Sequence, residues 1–246
     1  MSVDFNIMWQ IFSGSMEIVP GIHMVDGSIG CNTYLALGDG VTLVDTGLRG
    51  NVPRIYRYLG HIGYKPRDIR RIVITHAHLD HINCLYQLKQ ETGAIVLANA
   101  RDADIIDGQR PLQIARGIFG TILRAGQIYY KYRPVQVDVR LNDGDLIAGM
   151  QDFRAVSLPG HSEGNMGLFS REKSSFFSSD SIRVSGDRLV APSPRFTLDM
   201  DAAVASIKRI GEFDFNVMLP GHGPAITSIA STKVRELYYE IGQKAA

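Results

Sequence analysis

Cysteine is nearly absent from this 246-residue chain: it has two, Cys31 and Cys84, far apart and outside any Cys-x-x-Cys. That excludes a disulfide framework and a zinc site built on thiolates, and it fits a reducing, cytoplasmic compartment. Long hydrophobic runs are missing as well. None approaches the ~20 residues a membrane span needs, and Met1–Gln10 has no basic segment ahead of an apolar core, as a signal peptide would. An excess of charge is also lacking, with 26 Lys+Arg against 25 Asp+Glu and a formal charge of +1. That balance removes the usual electrostatic reason to expect a nucleic-acid partner or an anionic membrane, leaving only a local basic patch as a route to one. Nor does any polar linker or low-complexity stretch divide the chain, which is 45% hydrophobic and 21% charged. A single folded domain over residues 1–246 is expected.

What the chain does have is histidine in a pattern. The seven are His23, His61, His76, His78, His81, His161 and His222. Three fall in Thr75-His76-Ala77-His78-Leu79-Asp80-His81, and two end the repeated tetrapeptide Leu-Pro-Gly-His, at His161 and at His222. Histidines placed for packing would scatter; clustered imidazoles and carboxylates are what a metal ion requires. His23 and His61 stand outside the pattern and are read as structural or exposed.

The apolar periodicity places these motifs. Thr33–Leu37 and Val41–Val44 read as strands around a Gly38-Asp39-Gly40 turn, with Asp45 ending the second. Val52–Leu59 reads as a helix with Pro53 in its first turn. Arg71–Thr75 is a buried strand that runs directly into the histidine cluster; Ile82–Glu91 reads as a helix stopped near Gly93, and Ala94–Ala98 as the next strand. Residues 101–133 carry an apolar stripe at helical spacing and read as a helical insertion. Beyond it, strands are expected at Val135–Val139, Asp145–Ile147, Phe153–Ser157, Met166–Phe169, Ser175–Ser179, Asp187–Val190 and Asn216–Leu219. Helices are expected at Asp201–Ile210 and Thr232–Gly242. Each half thus holds strands, a helix and a strand ending in a histidine loop. Two β/α halves packed sheet on sheet follow from that echo, with the site along one edge.

His76 and His78 share one turn, and His161 can supply a third nitrogen, leaving a fourth position on a zinc ion for water. Asp80 and His81, with His222, form a second ligand group. Asp180 ends the run Phe176-Phe177-Ser178-Ser179 and is the candidate bridge between the two. Two divalent ions so held would activate a shared water and polarise the bond it attacks. Zinc suits the imidazole-rich set, with iron or manganese as alternatives. Asp45 is assigned the orientation of the cluster. No Gly-x-Ser-x-Gly is present to support a serine nucleophile.

His-x-His-x-Asp-His, strand-end Asp45, Gly-His161-Ser, Asp180 and Gly-His222-Gly together resemble the metallo-β-lactamase superfamily, in its glyoxalase II and lactonase-like branch. The resemblance implies a four-layer αββα sandwich of the α/β class. It also implies His76, His78 and His161 on one metal, Asp80, His81 and His222 on the other, and Asp180 bridging, with Asp80 and Asp180 at the catalytic centre. The implied activity is cleavage of a thioester, lactone or carboxylic ester in a small molecule by a metal-bridging hydroxide. Two departures narrow the branch. Asn83-Cys84 stands where glyoxalase II usually has Gly-Gly, and Arg183 where lactonases carry a Tyr. Alternatives are phosphoester or phosphotriester hydrolysis at the same site and, from another class, an iron-dependent persulfide dioxygenase. Arg183 is a candidate substrate anchor. Phe119, Ile122 and Leu123 are candidates for an apolar lid, the other use of their stripe being to pack on the core or against a second copy in a homodimer.

Overall fold

A computed structural model describes residues 16–113, 132–186 and 188–245. Seven strands form the first sheet in chain order: β1 (Glu17–Val19), β2 (Ile22–Met24), β3 (Tyr34–Gly38), β4 (Gly40–Val44), β5 (Ile69–Ile74), β6 (Ile95–Asn99) and β7 (Val139–Leu141). The pairs β1-β2, β2-β3 and β3-β4 are antiparallel, and β4 to β7 run parallel. The parallel crossovers hold helices α1 (Val52–His61), α2 (Leu79–Ile82), α3 (Leu85–Thr92) and α4 (Ala100–Ile106). A second sheet contains β8 (Arg154–Ser157), β9 (Met166–Ser170) and β10 (Ser175–Ser179). After the small hairpin β11 (Arg183–Ser185) and β12 (Arg188–Val190), it is completed by β13 (Val217–Pro220), in the order β13-β10-β9-β8. Helices α5 (Met200–Ile210) and α6 (Ala230–Ala245) belong to this half.

The period-2 alternation of side chains sorts each strand between two apolar layers. Ile72 and Ile74 of β5, with Val96 and Ala98 of β6, face α1, α3 and α4. Val73 and Leu97 between them face the other sheet, where they meet Phe153, Met166, Leu168, Phe177 and Leu219. Phe176 and Met218 point the opposite way, onto Ile207, Ile210 and Val234 of α5 and α6. Three apolar interfaces therefore separate four layers, which is the αββα sandwich. Full burial of each such Val, Leu, Ile or Phe contributes roughly 1.5–3 kcal/mol. A one-residue slip of any central strand would exchange its two faces, and that holds the register.

Local signals agree at several ends. Asp199 caps α5 by accepting from the Ala202 N–H at 3.0 Å, with Lys208 and Arg209 in its last turn, the favourable sign for a helix C-terminus. Gly93 closes α3 in the left-handed region at φ 72, a conformation that other residues adopt only at a cost.

Elsewhere the structure corrects the sequence reading. The strand expected at Val135–Val139 is confined to Val139–Leu141. Two carboxylates take the amides a ladder would use: Val137 N–H donates to Asp107 and Val96 N–H to Asp138, each at 2.7 Å. Asp145–Ile147 reduces to one bridge, Leu146 with Arg154. The helix expected over Ile82–Glu91 breaks at Asn83-Cys84, where Cys84 N–H turns to the Gly47 carbonyl at 3.3 Å. Strands β1, β2 and β11 were not foreseen; at three residues each they are too short for alternation to register. Of the segment 101–133, α4 is seen from Ala100, whereas Phe119, Ile122 and Leu123 lie outside the described residues. Among the described residues no helix is long and apolar enough to cross a membrane.

Candidate metal centre

Strand polarity gathers the motifs. β10 is parallel to β13 and antiparallel to β9, which is antiparallel to β8; β8, β10 and β13 therefore point the same way. His161 follows β8, Asp180 follows β10 directly and His222 lies two residues past β13. In the first sheet Asp45 follows β4, and Thr75 to His81 follow its parallel neighbour β5, with Asp80 and His81 on α2. All of them meet at the carboxyl ends of the strands.

His76, His78 and His161 stand with ring centroids 4.5–4.9 Å apart. Their ligand nitrogens lie within 4.8 Å of one another, as do the ligand atoms of Asp80, His81 and His222 and those of His76, His81 and Asp180. Asp180 lies between the groups. Its Oδ2 is 3.4 Å from His161 Nε2 and 3.2 Å from His222 Nε2, and its Oδ1 is 3.5 Å from His81 Nε2. The structure thus brings together all seven candidate ligands.

The surrounding hydrogen bonds decide which nitrogen of each ring is free. The Thr75 hydroxyl donates to Asp45 Oδ2 at 2.8 Å and the Ser179 hydroxyl to Asn165 Oδ1 at 2.7 Å. Both oxygens approach His76 Nδ1 at 3.2 Å; with their protons committed elsewhere they accept from Nδ1–H. The Thr197 hydroxyl donates to the Ser193 carbonyl and so accepts from His161 Nδ1–H at 3.3 Å. His81 Nδ1–H donates to Asp45 Oδ2 at 2.8 Å. In His76 and His161 the lone pair is left on Nε2, and in His81 Nε2 is the nitrogen a metal would take once its proton is displaced. Those three Nε2 atoms and Asp180 Oδ1 are buried without a hydrogen-bond partner among the described residues. Polar atoms orphaned in this way are costly unless a cation takes them, and the donor set fits a divalent metal. Asp45 also accepts Thr75 N–H at 2.8 Å, with its backbone at φ 58.

The two groups differ in charge. Burial holds His76 well below the usual imidazole range, lowers His78 and takes His161 down to about 3. These rings are neutral, the form that binds metal. Burial works the same way on His81, but Cys31, Asp45, Asp180 and Asp80 outweigh it and raise His81 well above its usual range. It also opposes protonation of His222, which hydrogen bonds to Asp180 and Asp80 nevertheless lift to about 9. Burial would raise Asp80 and Asp180; neighbouring His81 and His222 bring Asp80 to about 2 and Asp180 well below its normal value. At pH 7 His81 and His222 of the metal-free protein therefore carry protons that a metal must displace. Calorimetric zinc titration in buffers of different ionisation enthalpy is expected to show about two protons released per chain. Affinity should rise with pH until both rings have titrated. Release of no protons at pH 7 would contradict this charge assignment.

Several contributors left no trace in the sequence pattern. The hydroxyls of Ser179 and Thr197 orient rings, and Asp102 of α4, fully buried, bonds the loops on either side of the tri-histidine group. Each depends on a partner far away in the chain; the one local hint is Asn99, which caps α4 by accepting Arg101 N–H and so sets Asp102 in its first turn. Arg183 lies half-buried on β11 beside the His222 loop, since Val184 N–H donates to the His222 carbonyl at 3.2 Å. Its described polar contact is with the Ala191 carbonyl at 3.4 Å, not with the ligand cluster. His23 is buried with Nδ1 3.2 Å from the Tyr58 hydroxyl, a structural placement, and His61 is on the surface. Cys84 is buried and bonds the Leu48 carbonyl.

Fold and site together define a metal-dependent hydrolase built as an αββα sandwich. The family model of the Metallo-beta-lactamase superfamily matches residues 26–222, and the chain belongs to that superfamily. It is 25% identical over 227 residues to the probable metallo-hydrolase YqjP of Bacillus subtilis, covering 80% of this chain and 68% of that one. Over 124 residues it is 28% identical to the hydroxyacylglutathione hydrolase of Bartonella tribocorum, 50% of this chain and 38% of that enzyme. Among solved structures it resembles the metallo-beta-lactamase family protein TTHA1429 of Thermus thermophilus, with a TM-score of 0.71 and 21% identity over 92% of this chain and 81% of the other.

Proposed function

We propose that this chain hydrolyses an ester-like bond, a thioester, lactone or carboxylic ester, in a small molecule, with two divalent ions at the site and zinc as the favoured metal. The observation that carries this reading is Asp180, whose two oxygens face His161 and His222 on one side and His81 on the other. Bound there, the two ions would lower the pKa of water towards neutrality and polarise the scissile carbonyl. The chain's own residues do the rest. Asp45, Ser179 and Thr197 hold the rings so that Nε2 faces inward. Asp80 and His222 keep 34% and 31% of their side chains exposed, whereas His81 is closed off; substrate enters over Asp80 and His222. Beside His161, where Leu198 N–H bonds its carbonyl, Phe196 and Leu198 remain 39% and 40% exposed and offer an apolar wall for the non-reacting part of the substrate. Arg183, whose buried Nε lacks a hydrogen-bond partner among the described residues, is the anchor for an acidic group on it. The similarity to a hydroxyacylglutathione hydrolase supports an acyl substrate.

The test is elemental analysis of the purified protein with a panel of thioesters, lactones, carboxylic esters, phosphomonoesters and phosphotriesters. About two metal ions per chain are expected, with hydrolysis of acyl esters, loss of activity to a chelator and recovery on adding a divalent metal. Turnover confined to the phosphoesters would move the reading to that class. Oxygen consumption with a persulfide, one iron per chain and no ester hydrolysis would replace it by the oxygenase.

A further inference from the structure

We propose that Asp102 is the positioning residue that sets the geometry, and hence the metal affinity, of the tri-histidine half of the site; this rests on the metal-site reading above. Asp102 touches none of the ligand rings through a hydrogen bond. Its carboxylate instead joins the two loops that carry them. Oδ2 accepts from the N–H of Ala77, the residue between His76 and His78, at 2.8 Å, and from the hydroxyl of Ser162, the residue after His161, at 3.0 Å. Oδ1 accepts from Gly164 N–H at 2.9 Å. The three donors are 25, 60 and 62 residues away in sequence, and they belong to loops from different sheets. One buried carboxylate thus ties the His76–His78 loop to the His161 loop at three points, beside the bond from Met166 N–H to the Thr75 carbonyl at 3.0 Å.

The fit admits little else. A Cβ on Gly164 would lie 2.5 Å from both Asp102 Cγ and Oδ1, so the loop after His161 presses its bare backbone against the carboxylate. Only an anion with two acceptor oxygens satisfies the arrangement, because the two backbone N–H groups lie on different oxygens and neither can turn away. In Asp102→Asn the amide has one acceptor, and its NH2 must face either Ala77 N–H or Gly164 N–H. One tether is then replaced by opposed donors. The Asp80/His81/His222 half is oriented by Asp45 instead and shares no described hydrogen bond with Asp102.

That asymmetry supplies the experiment. His222→Ala leaves the tri-histidine half to bind metal, and His78→Ala leaves the other half. Asp102→Asn is added to each background, and zinc affinity is measured by competition with a chromophoric chelator. A 10–100-fold weaker affinity is expected in the His222→Ala background, the range seen when groups behind metal ligands are removed, and no more than a twofold change in the His78→Ala background. Cobalt(II) absorption should change shape in the first background alone. A merely structural part for Asp102 would weaken both halves alike, and that outcome, or unchanged affinity in both, overturns the proposal. If the otherwise wild-type protein and both backgrounds bind no zinc, the metal reading itself has failed. Should Asp102→Asn not fold, Ser162→Ala removes one tether, and a smaller loss confined to the tri-histidine half is expected; equal affinities there too would overturn the proposal.

Discussion

Asp180→Ala is expected to fold normally and to lose tens-fold or more of its turnover. The residue is buried at 5% exposure, yet its carboxylate is surrounded by His81, His161 and His222 rather than by core side chains. Its removal takes little from the apolar layers. It takes from the site the carboxylate that faces ligands of both sets, and with it the alignment of whatever is bound between them. Circular dichroism should match wild type and melting temperature should fall far less than activity does, while steady-state hydrolysis falls and metal content drops. A variant with full metal content and wild-type turnover would show that Asp180 does not bridge.

Gly221→Ala should disable the site almost as thoroughly, although Gly221 binds nothing itself. A Cβ at this position would lie 2.0 Å from Asp180 Oδ1 and 3.2 Å from His81 Cε1. The added methyl must displace the carboxylate, because Gly221 N–H is held by the Ser179 carbonyl at 2.9 Å and its own carbonyl accepts Asn32 N–H at 2.7 Å. Overpacking of this kind typically costs about 1–3 kcal/mol, and here it falls on the ligand rather than on the core. Turnover tens-fold lower with a modest fall in melting temperature is expected. Gly242→Ala is the matched control: nothing stands within 4 Å of its Cβ on α6, and Ala there should preserve activity and add up to about 1 kcal/mol of stability. Equal activity of the two glycine variants would refute the crowding.

Both expectations concern residues whose neighbourhood the sequence announced to different degrees. The histidine loops were legible because strands such as Ile69–Ile74 and Ser175–Ser179 are short β-branched or aromatic runs, each leading directly into a polar motif. Asp45 was legible as a strand-end acid, and its bond to His81 follows from β4 and β5 being parallel neighbours. Asp102 was not, since an acid in the first turn of a helix is ordinarily a favourable surface charge, and nothing local states that Ala77 and Gly164 come to meet it. The crowding at Gly221 was hidden for the same reason. Pro-Gly-His marks a turn, whereas the Asp180 oxygen pressed against it is some forty residues earlier in the chain. The failed strand at Val135–Val139 shows the converse, a β-favouring pattern overruled by two carboxylates that the pattern does not weigh.

The position of Asp180 between ligands from both sheets also fixes when the site can exist during folding. His76 on the first sheet meets Ser179 on the second across 103 residues, and Asn32 reaches the Pro220 carbonyl across 188. Contacts of such sequence separation form late, after the entropy of closing long loops has been overcome. Before the sheets dock, the nascent chain holds only the local His76–His81 segment, a partial ligand set that can bind metal loosely but cannot align it. A chain whose sheets have not docked therefore lacks the juxtaposition of His161, Asp180 and His222 with His76, His78 and His81 on which the aligned ligand set depends.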